Sequence, residues 1–246
     1  MVLIAACIVQ WAAFQLPRLA AALLLGLALK PMLAWAMLRT EVQAVETALG
    51  QSLDAGRLRL AMLVSRDTTN LRETEVRESA IESLAENLND SVVAPIFWFV
   101  LFGLPGAAIY RFANTADAMW GYRGLRNGVN WEWAGKWAAR ADDVLSWLPA
   151  RITALLLKLV SHGIDFKTLS LEARKTPSPN SGWPMAAMAL ALGVRLQKPG
   201  VYVLNPSGRP PGPKDAMLAQ KNASKVVVAA FLSVQTAILL IAYLKS

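Results

Sequence analysis

The chain has 246 residues, of which 55% are hydrophobic and only 17% charged, with a mean hydropathy of +0.37. Ordinary soluble domains carry about 25% charged residues, so these values exclude disorder, a coiled coil and a typical soluble enzyme, and they favour a membrane-embedded protein. The net charge of +8 suits anionic headgroups or a phosphorylated substrate. Nucleic acid is not expected, because Lys and Arg concentrate between the apolar runs. The single cysteine, Cys7, excludes an intramolecular disulfide, and the single histidine, His162, excludes a His-clustered metal site.

Two apolar runs open the chain, residues 1–16 and 19–38, divided by Pro17-Arg18. They predict an N-terminal helical pair or one long broken helix, at least partly spanning; without a positive n-region the start does not read as a secretory signal. The run 92–110 is long enough to span, but Gly103-Leu104-Pro105-Gly106 interrupts it. Two half-length helices that enter the membrane and return are expected there. Residues 147–160 carry Arg151, and residues 183–194 are too short to span unaided. The segment 205–213 is turn-rich. The uncharged run 226–244 is close to the ~20 residues that cross a bilayer, with Lys225 and Lys245 as interfacial anchors.

The expected fold is all-α, a polytopic integral membrane helical protein with broken or re-entrant middle helices and motif-bearing polar loops. One membrane-embedded domain, 1–246, would hold N-terminal membrane helices (1–38), a motif-bearing core (65–194), a polar loop (195–225) and a C-terminal transmembrane helix (226–244). Residues 39–77, 111–140, 158–175 and 195–225 are all basic. With re-entrant middle stretches, all four can face the cytoplasm as the positive-inside rule asks.

Four segments carry candidate chemistry. In residues 65–95, Thr69 or Thr74 could cap a helix running to about Asp90. Val76, Ala80, Leu84 and Leu88 form an apolar stripe; Glu78, Glu82, Glu86 and Asp90 form an acidic row offset by two residues, roughly 200° around the helix. Each i,i+4 carboxylate pair repels by a few tenths of a kcal/mol. The row therefore invites Mg²⁺ or arginines from another segment; the alternative is a solvated helix face. In residues 112–126, Asn114, Asp117 and Arg123 suit a metal-bound phosphate, or belong to an interfacial helix with an aromatic belt. In residues 137–157, Arg140, Asp142, Asp143 and Arg151 flank or enter an apolar stretch. Arg151 at membrane depth is either paired and functional or snorkels to the headgroups. In residues 171–194, Arg174 and Lys175 precede Ser178-Pro179-Asn180-Ser181-Gly182, an anion site at the N-terminus of a helix starting near Pro184. No Walker motif occurs.

The stretches RDTTNL with ESLAENLNDSVVAPIFW, GLPGAAIYRFANTADAMWGYR, AARADDVLSWLPARITALLL and EARKTPSPNSGWPMAAMALALGV together resemble the adenosylcobinamide-phosphate synthase family of cobalamin biosynthesis (the CobD/CbiB family). The resemblance covers most of residues 66–194 and implies a multi-pass protein of the cytoplasmic (inner) membrane, lacking a further N-terminal segment usual in the family. It implies ATP- and Mg²⁺-dependent joining of adenosylcobyric acid to aminopropanol phosphate or a related amino-alcohol phosphate. Its implied partners are those corrinoid and amino-alcohol phosphate substrates, membrane lipid and other membrane enzymes of late cobalamin assembly.

For that reaction the residue types allot catalysis to Glu82, Glu86 and Asp117, with Glu86 as base because His162 stands alone. Metal-phosphate work falls to Glu82, Glu86, Asp90, Asp117 and Asp143. Substrate binding falls to Arg66, Asn87, Asn114, Arg123, Arg140, Arg151, Arg174, Lys175, Ser178 and Asn180. The residues alone also fit a non-catalytic membrane paralogue acting as sensor or scaffold, and a small transporter.

Overall fold

The computed structural model describes residues 1–121, 125–126, 129–130, 132–161 and 163–244. In chain order the elements are α1 (Val2–Phe14), α2 (Arg18–Leu29), α3 (Trp35–Leu49), α4 (Leu53–Leu60), α5 (Glu73–Leu88), α6 (Ala94–Trp120), β1 (Leu125–Arg126), β2 (Val129–Asn130), α7 (Glu132–Val160), α8 (Phe166–Ala173), α9 (Gly182–Leu192), β3 (Leu196–Lys198), β4 (Tyr202–Leu204) and α10 (Pro213–Leu244). The protein is mostly helical, with two small antiparallel strand pairs among the described residues. The helical stretches Arg18–Leu49 and Glu73–Trp120 are long and apolar enough to cross a membrane. Lys245 lies outside the described residues.

The chain forms two compact units. The first comprises Met1–Ala34 and Asp90–Pro149. Its N-terminal runs form a pair of helices, with the break at Pro17, which stands before the first residue of α2 in extended backbone. Helix α1 packs against α6 and α2. It turns its small residues inward, with Ala6 and Ala13 buried, while Trp11 and Phe14 are 67% and 68% exposed. That distribution is the reverse of a soluble amphipathic helix.

Helix α6 breaks at Gly103, whose φ of 66° and ψ of −155° lie outside the helical region, in backbone that favours glycine. The following segment starts anew with Pro105 in its first turn, a position where the missing N–H costs nothing. The Leu104 N–H left open by the break donates to Gln10 Oε1 at 2.7 Å, so the one amide side chain of an otherwise apolar α1 serves as a cap. A Cβ at position 103 would overlap that same amide. The interruption expected in residues 103–106 therefore exists.

The second unit comprises Trp35–Asn89 and Ala150–Ser246. Helix α5 is its centre and packs on α3, α4, α9, α10 and β3. It is buried all round, from Glu75 through Ala85. Its expected caps are replaced: Glu75 accepts the Arg72 N–H at 2.7 Å, while Thr69 folds onto Asp67 at 2.9 Å instead. After Leu88 a π-helical turn, Asn89–Val93, puts more residues in one turn. Asp90, in that turn, belongs to the first unit.

Residues 195–225 are not the polar loop expected. Gly200, at a φ of 72°, lets the chain reverse between β3 and β4, and α10 begins at Pro213, well before the apolar run 226–244. Its start is fixed by Asp215, which takes a two-pronged ion pair from Arg209 at 2.7 Å and the Gly212 N–H at 2.7 Å. Two consecutive prolines, 210 and 211, hide this cap from a composition-based reading.

Replacing Gln10 by Leu leaves the Leu104 N–H without its acceptor. The expected loss is about 1–3 kcal/mol of stability, read as a lower unfolding midpoint in detergent, with little change for Gln10→Glu, which keeps an acceptor.

Candidate functional site

Helix α5 carries its acidic row into the interior of the second unit, and arginines from other segments meet it. Glu82 is 4% exposed and pairs with Arg66 at 2.9 Å; the same guanidinium donates to Ser79. Glu78 is 0% exposed, with Arg195 Nε 3.6 Å from its Oε1. Arg77, also buried, holds Glu46 of α3 through both carboxylate oxygens at 3.0 Å and Glu73 at 2.6 Å. Several atoms of this cluster remain without a hydrogen bond although fully buried: both oxygens of Glu78, Oε1 of Glu82, Nη1 of Arg66 and Nε of Arg195. Tyr202 of β4 faces the row. Burial first, then the charges of Glu82 and Glu86, pushes its phenol far up from the ordinary value, so it stays a donor.

A second grouping in this unit surrounds Arg151. Its guanidinium donates to Asn180 Oδ1 at 3.0 Å and to the Pro179 carbonyl at 3.3 Å, and stacks over the Trp183 ring at 5.0 Å. Ser178 Oγ accepts the N–H groups of Asn180 and Ser181, each at 3.2 Å. Two donors expected to face an anion are thus used within the loop. The helix starts at Gly182, two residues earlier than Pro184. Lys175 pairs with Glu172 at 2.6 Å, and Arg174 is exposed.

The first unit holds its own polar group. Tyr110, buried, shares a hydrogen bond of 3.1 Å with Ser146 and reaches Asp90 at 3.4 Å. Arg111 donates to the Asp90 carbonyl at 2.9 Å, an acceptor in the π turn, and to Asn114 Oδ1 at 3.2 Å. Asn114 in turn donates to Asp142 at 3.2 Å. Burial, then the charge of Asp90, pushes the Asp142 carboxyl from 3.8 up to about 7; burial and Asp117 push Asp143 in the same direction. Beside this group α6 and α7 border an apolar cavity of about 1010 Å³, lined by Phe112, Trp120, Trp133 and Trp137 with Arg140 among its walls.

The candidate residues therefore divide. Arg66, Glu82, Glu86, Asn87, Arg151, Arg174, Lys175, Ser178 and Asn180 belong to the second unit; Asp90, Asn114, Asp117, Arg140 and Asp143 belong to the first. Arg123 lies outside the described residues. Asn87 folds back onto Ser83 at 3.0 Å. Among the described residues no three His, Cys, Asp or Glu side chains form a group that could hold a metal ion. The sequence reading did not assign Glu78, Arg195, Tyr202, Arg111, Tyr110 or Asp142. Asp142 had a visible signal: it falls in the four-spaced series Ala138, Asp142, Ser146, Ala150, whose other members are small and buried.

The fold and its sites define a helical protein that buries paired charges inside apolar surroundings, chemistry suited to anionic ligands. The family follows from comparison: the CobD/Cbib protein family model matches residues 1–230, and the chain belongs to that family. It is 49% identical over 176 residues to the probable cobalamin biosynthesis protein CobD of Methanothermobacter thermautotrophicus, covering 68% of this chain and 57% of that protein. It is 44% identical over 197 residues to the like-named protein of Pyrococcus abyssi, covering 80% and 64%. The cobalamin biosynthesis protein CobD of Brucella melitensis is 39% identical over 226 residues, covering 87% and 68%. The chain thus spans between about half and two thirds of the length of these and similar curated relatives. No solved structure matches it.

Two outcomes test the clusters. Arg66→Gln strands a buried carboxylate and is expected to cost about 3–5 kcal/mol, much of it restored when Glu82→Gln is added, as a double-mutant cycle of unfolding midpoints will read. For Asp142, the folded state binds a proton that the unfolded chain releases near 3.8. Stability is therefore expected to fall as pH rises from about 4 to about 7 and then to level, and Asp142→Asn is expected to remove that slope.

Proposed function

We propose that the chain acts in cobalamin biosynthesis as a membrane-embedded amide ligase, joining adenosylcobyric acid to aminopropanol phosphate or a related amino-alcohol phosphate. The observation that carries this reading is the set of buried, unengaged acid and guanidinium atoms on Glu78, Glu82, Arg66 and Arg195, in a chain of the CobD/Cbib family. Membrane embedding is supported by the two long apolar stretches and by the outward-facing large side chains of α1. The cytoplasmic (inner) membrane is the membrane proposed.

Forming an amide from a carboxylate needs a leaving group on the acyl carbon. With ATP, a carboxylate oxygen of the corrinoid attacks the γ-phosphorus and ADP departs; the amine then attacks the acyl phosphate, inorganic phosphate leaves, and a base takes the proton. Mg²⁺ supplies charge neutralisation on the ATP phosphates. It typically keeps several waters and needs only one or two carboxylates, which the separate acidic groups offer without a three-ligand cage. Glu82 and Glu86 of the second unit and Asp117 of the first are the carboxylates proposed for catalysis, and one or two carboxylates among these, Asp90 and Asp143 would hold Mg²⁺. Arg66 and Tyr202 supply donors to developing negative charge. The cavity between α6 and α7 offers the apolar, aromatic walls against which a face of a large amphipathic ring would pack. The corrinoid and amino-alcohol phosphate substrates, lipid and other membrane enzymes of the same assembly are the proposed partners.

The test is an assay of the purified, detergent-solubilised chain with adenosylcobyric acid, an amino-alcohol phosphate, ATP and Mg²⁺. Amide product is expected, and Glu82→Ala and Asp117→Ala are each expected to lower turnover by at least about 10²-fold while the protein still inserts and folds. Undiminished turnover in both variants removes the site assignment; no product from the unaltered chain removes the function.

A further inference from the structure

We infer that Glu78 and Glu82 on one side, with Arg66 and Arg195 on the other, form a binding site for a small zwitterion, the carboxylates taking its ammonium group and the guanidiniums its anionic group. The inference rests on the reading above only in naming that zwitterion an amino-alcohol phosphate.

The buried charges of this cluster carry a cost. An ionised carboxylate without hydrogen bonds in a protein interior is expensive, by several kcal/mol even after relaxation, and native structures seldom leave such groups unmatched. Here three carboxylate oxygens and two guanidinium nitrogens are buried without a hydrogen-bond partner in one cluster. Glu78 and Glu82 stand one turn apart on α5. Each has a guanidinium beside it, Arg195 at 3.6 Å and Arg66 at 2.9 Å. The 3.6 Å approach is too long for a hydrogen bond, so the Arg195 pairing leaves both Glu78 oxygens available.

The open atoms specify the ligand's chemistry. A primary ammonium carries three N–H donors and no acceptor, which suits the open carboxylate oxygens, with the Tyr202 hydroxyl a further donor beside Glu82. A phosphate or carboxylate offers only acceptors, which match the two open guanidinium nitrogens. A simple anion would meet two carboxylates, and a simple amine would leave both guanidinium atoms unsatisfied. A molecule bearing both charges meets every open atom with charge of the opposite sign, which buried water does not. The open atoms of both signs are buried, but the Glu78 side chain is fully enclosed whereas those of Arg66 and Arg195 are 19% and 31% exposed over the rest of their length. The amine end is therefore assigned to the carboxylate side, the more deeply enclosed of the two. Lys198, whose charge acts on Glu82, adds to the positive side.

The experiment titrates the detergent-solubilised chain by calorimetry with O-phosphoethanolamine, with ethyl phosphate (the same anion without the amine) and with ethanolamine. O-phosphoethanolamine is expected to bind at least about tenfold more tightly than either half-ligand. Glu78→Gln is expected to weaken it at least about tenfold while leaving ethyl phosphate within about twofold; Arg195→Gln is expected to weaken both phosphate-bearing ligands. Equal affinity of the unaltered chain for O-phosphoethanolamine and ethyl phosphate overturns the inference, and so does no binding at all, which would assign these atoms to buried water. That comparison needs no folded variant. Binding in this pattern without amide product would sink the ligase reading and leave the site. Turnover by Glu78→Gln with an unchanged KM for the amine would sink the site and leave the ligase.

Discussion

The burial of a charged helix governs the second unit. Helix α5 has an acidic row on one face and an apolar stripe on the other, and the protein encloses both. The apolar stripe of Val76, Ala80, Leu84 and Leu88 buries itself by the ordinary hydrophobic gain. The acidic face has no such gain, and each carboxylate taken from water must be met by charge or hydrogen bonds. The surrounding elements are arranged to supply them. The segment between α4 and α5 brings Arg66, the chain before β3 brings Arg195, and α3 brings Glu46 to the single arginine that α5 itself buries. Replacing these pairs by apolar side chains of equal volume would be a cheaper way to pack a helix. Their retention is an argument that the charges serve a ligand rather than the fold.

In the first unit the governing constraint is backbone, not charge. In apolar surroundings every N–H and C=O must find a partner within the protein. Two departures from regular α-helix here each have a polar side chain assigned to them. Gln10 takes the N–H freed at Gly103, and Arg111 takes the Asp90 carbonyl in the π turn. The second of these does more than repair. Because Arg111 also holds Asn114, and Asn114 holds Asp142, the irregular turn is the anchor of the polar group. An extra residue in a helical turn is a common device at functional sites, and here Asp90, in that turn, is met by Tyr110 at 3.4 Å.

What could be read from the sequence follows from this contrast. The apolar runs, the N-terminal pair and the break at Gly103 were legible because they depend on local composition and on glycine's backbone freedom. The acidic row was legible as a periodicity, and with it the need for arginines from elsewhere. Which arginines was not, since pairing between Arg195 and Glu78 is set by tertiary packing and not by spacing. Arg195 and Tyr202 were also hidden by the expectation of a polar loop over 195–225, where a three-residue reversal at Gly200 instead builds a hairpin facing α5. The Ser178–Gly182 segment erred the other way. Its residue types suit an anion, but a serine hydroxyl that can turn onto nearby N–H groups does so at little cost, and Arg151 then packs on the finished loop.

The two kinds of constraint also separate what a change in sequence can do. The Gln10–Leu104 contact and the Arg209–Asp215 cap have their atoms engaged by the protein itself, so their energy is spent on the fold. Both Glu78 oxygens, Arg66 Nη1 and Arg195 Nε make no hydrogen bond, so part of the energy of burying them is withheld from the folded state and becomes available when a partner arrives. A site organised this way binds with little rearrangement, because its polar atoms are already stripped of water and held by α5 and its neighbours. It is also a local weakness of the empty protein. Ligand occupancy and stability are consequently linked at this cluster in a way they are not at the backbone caps, since a ligand that binds only the folded state stabilises it by an amount that grows with the logarithm of its concentration.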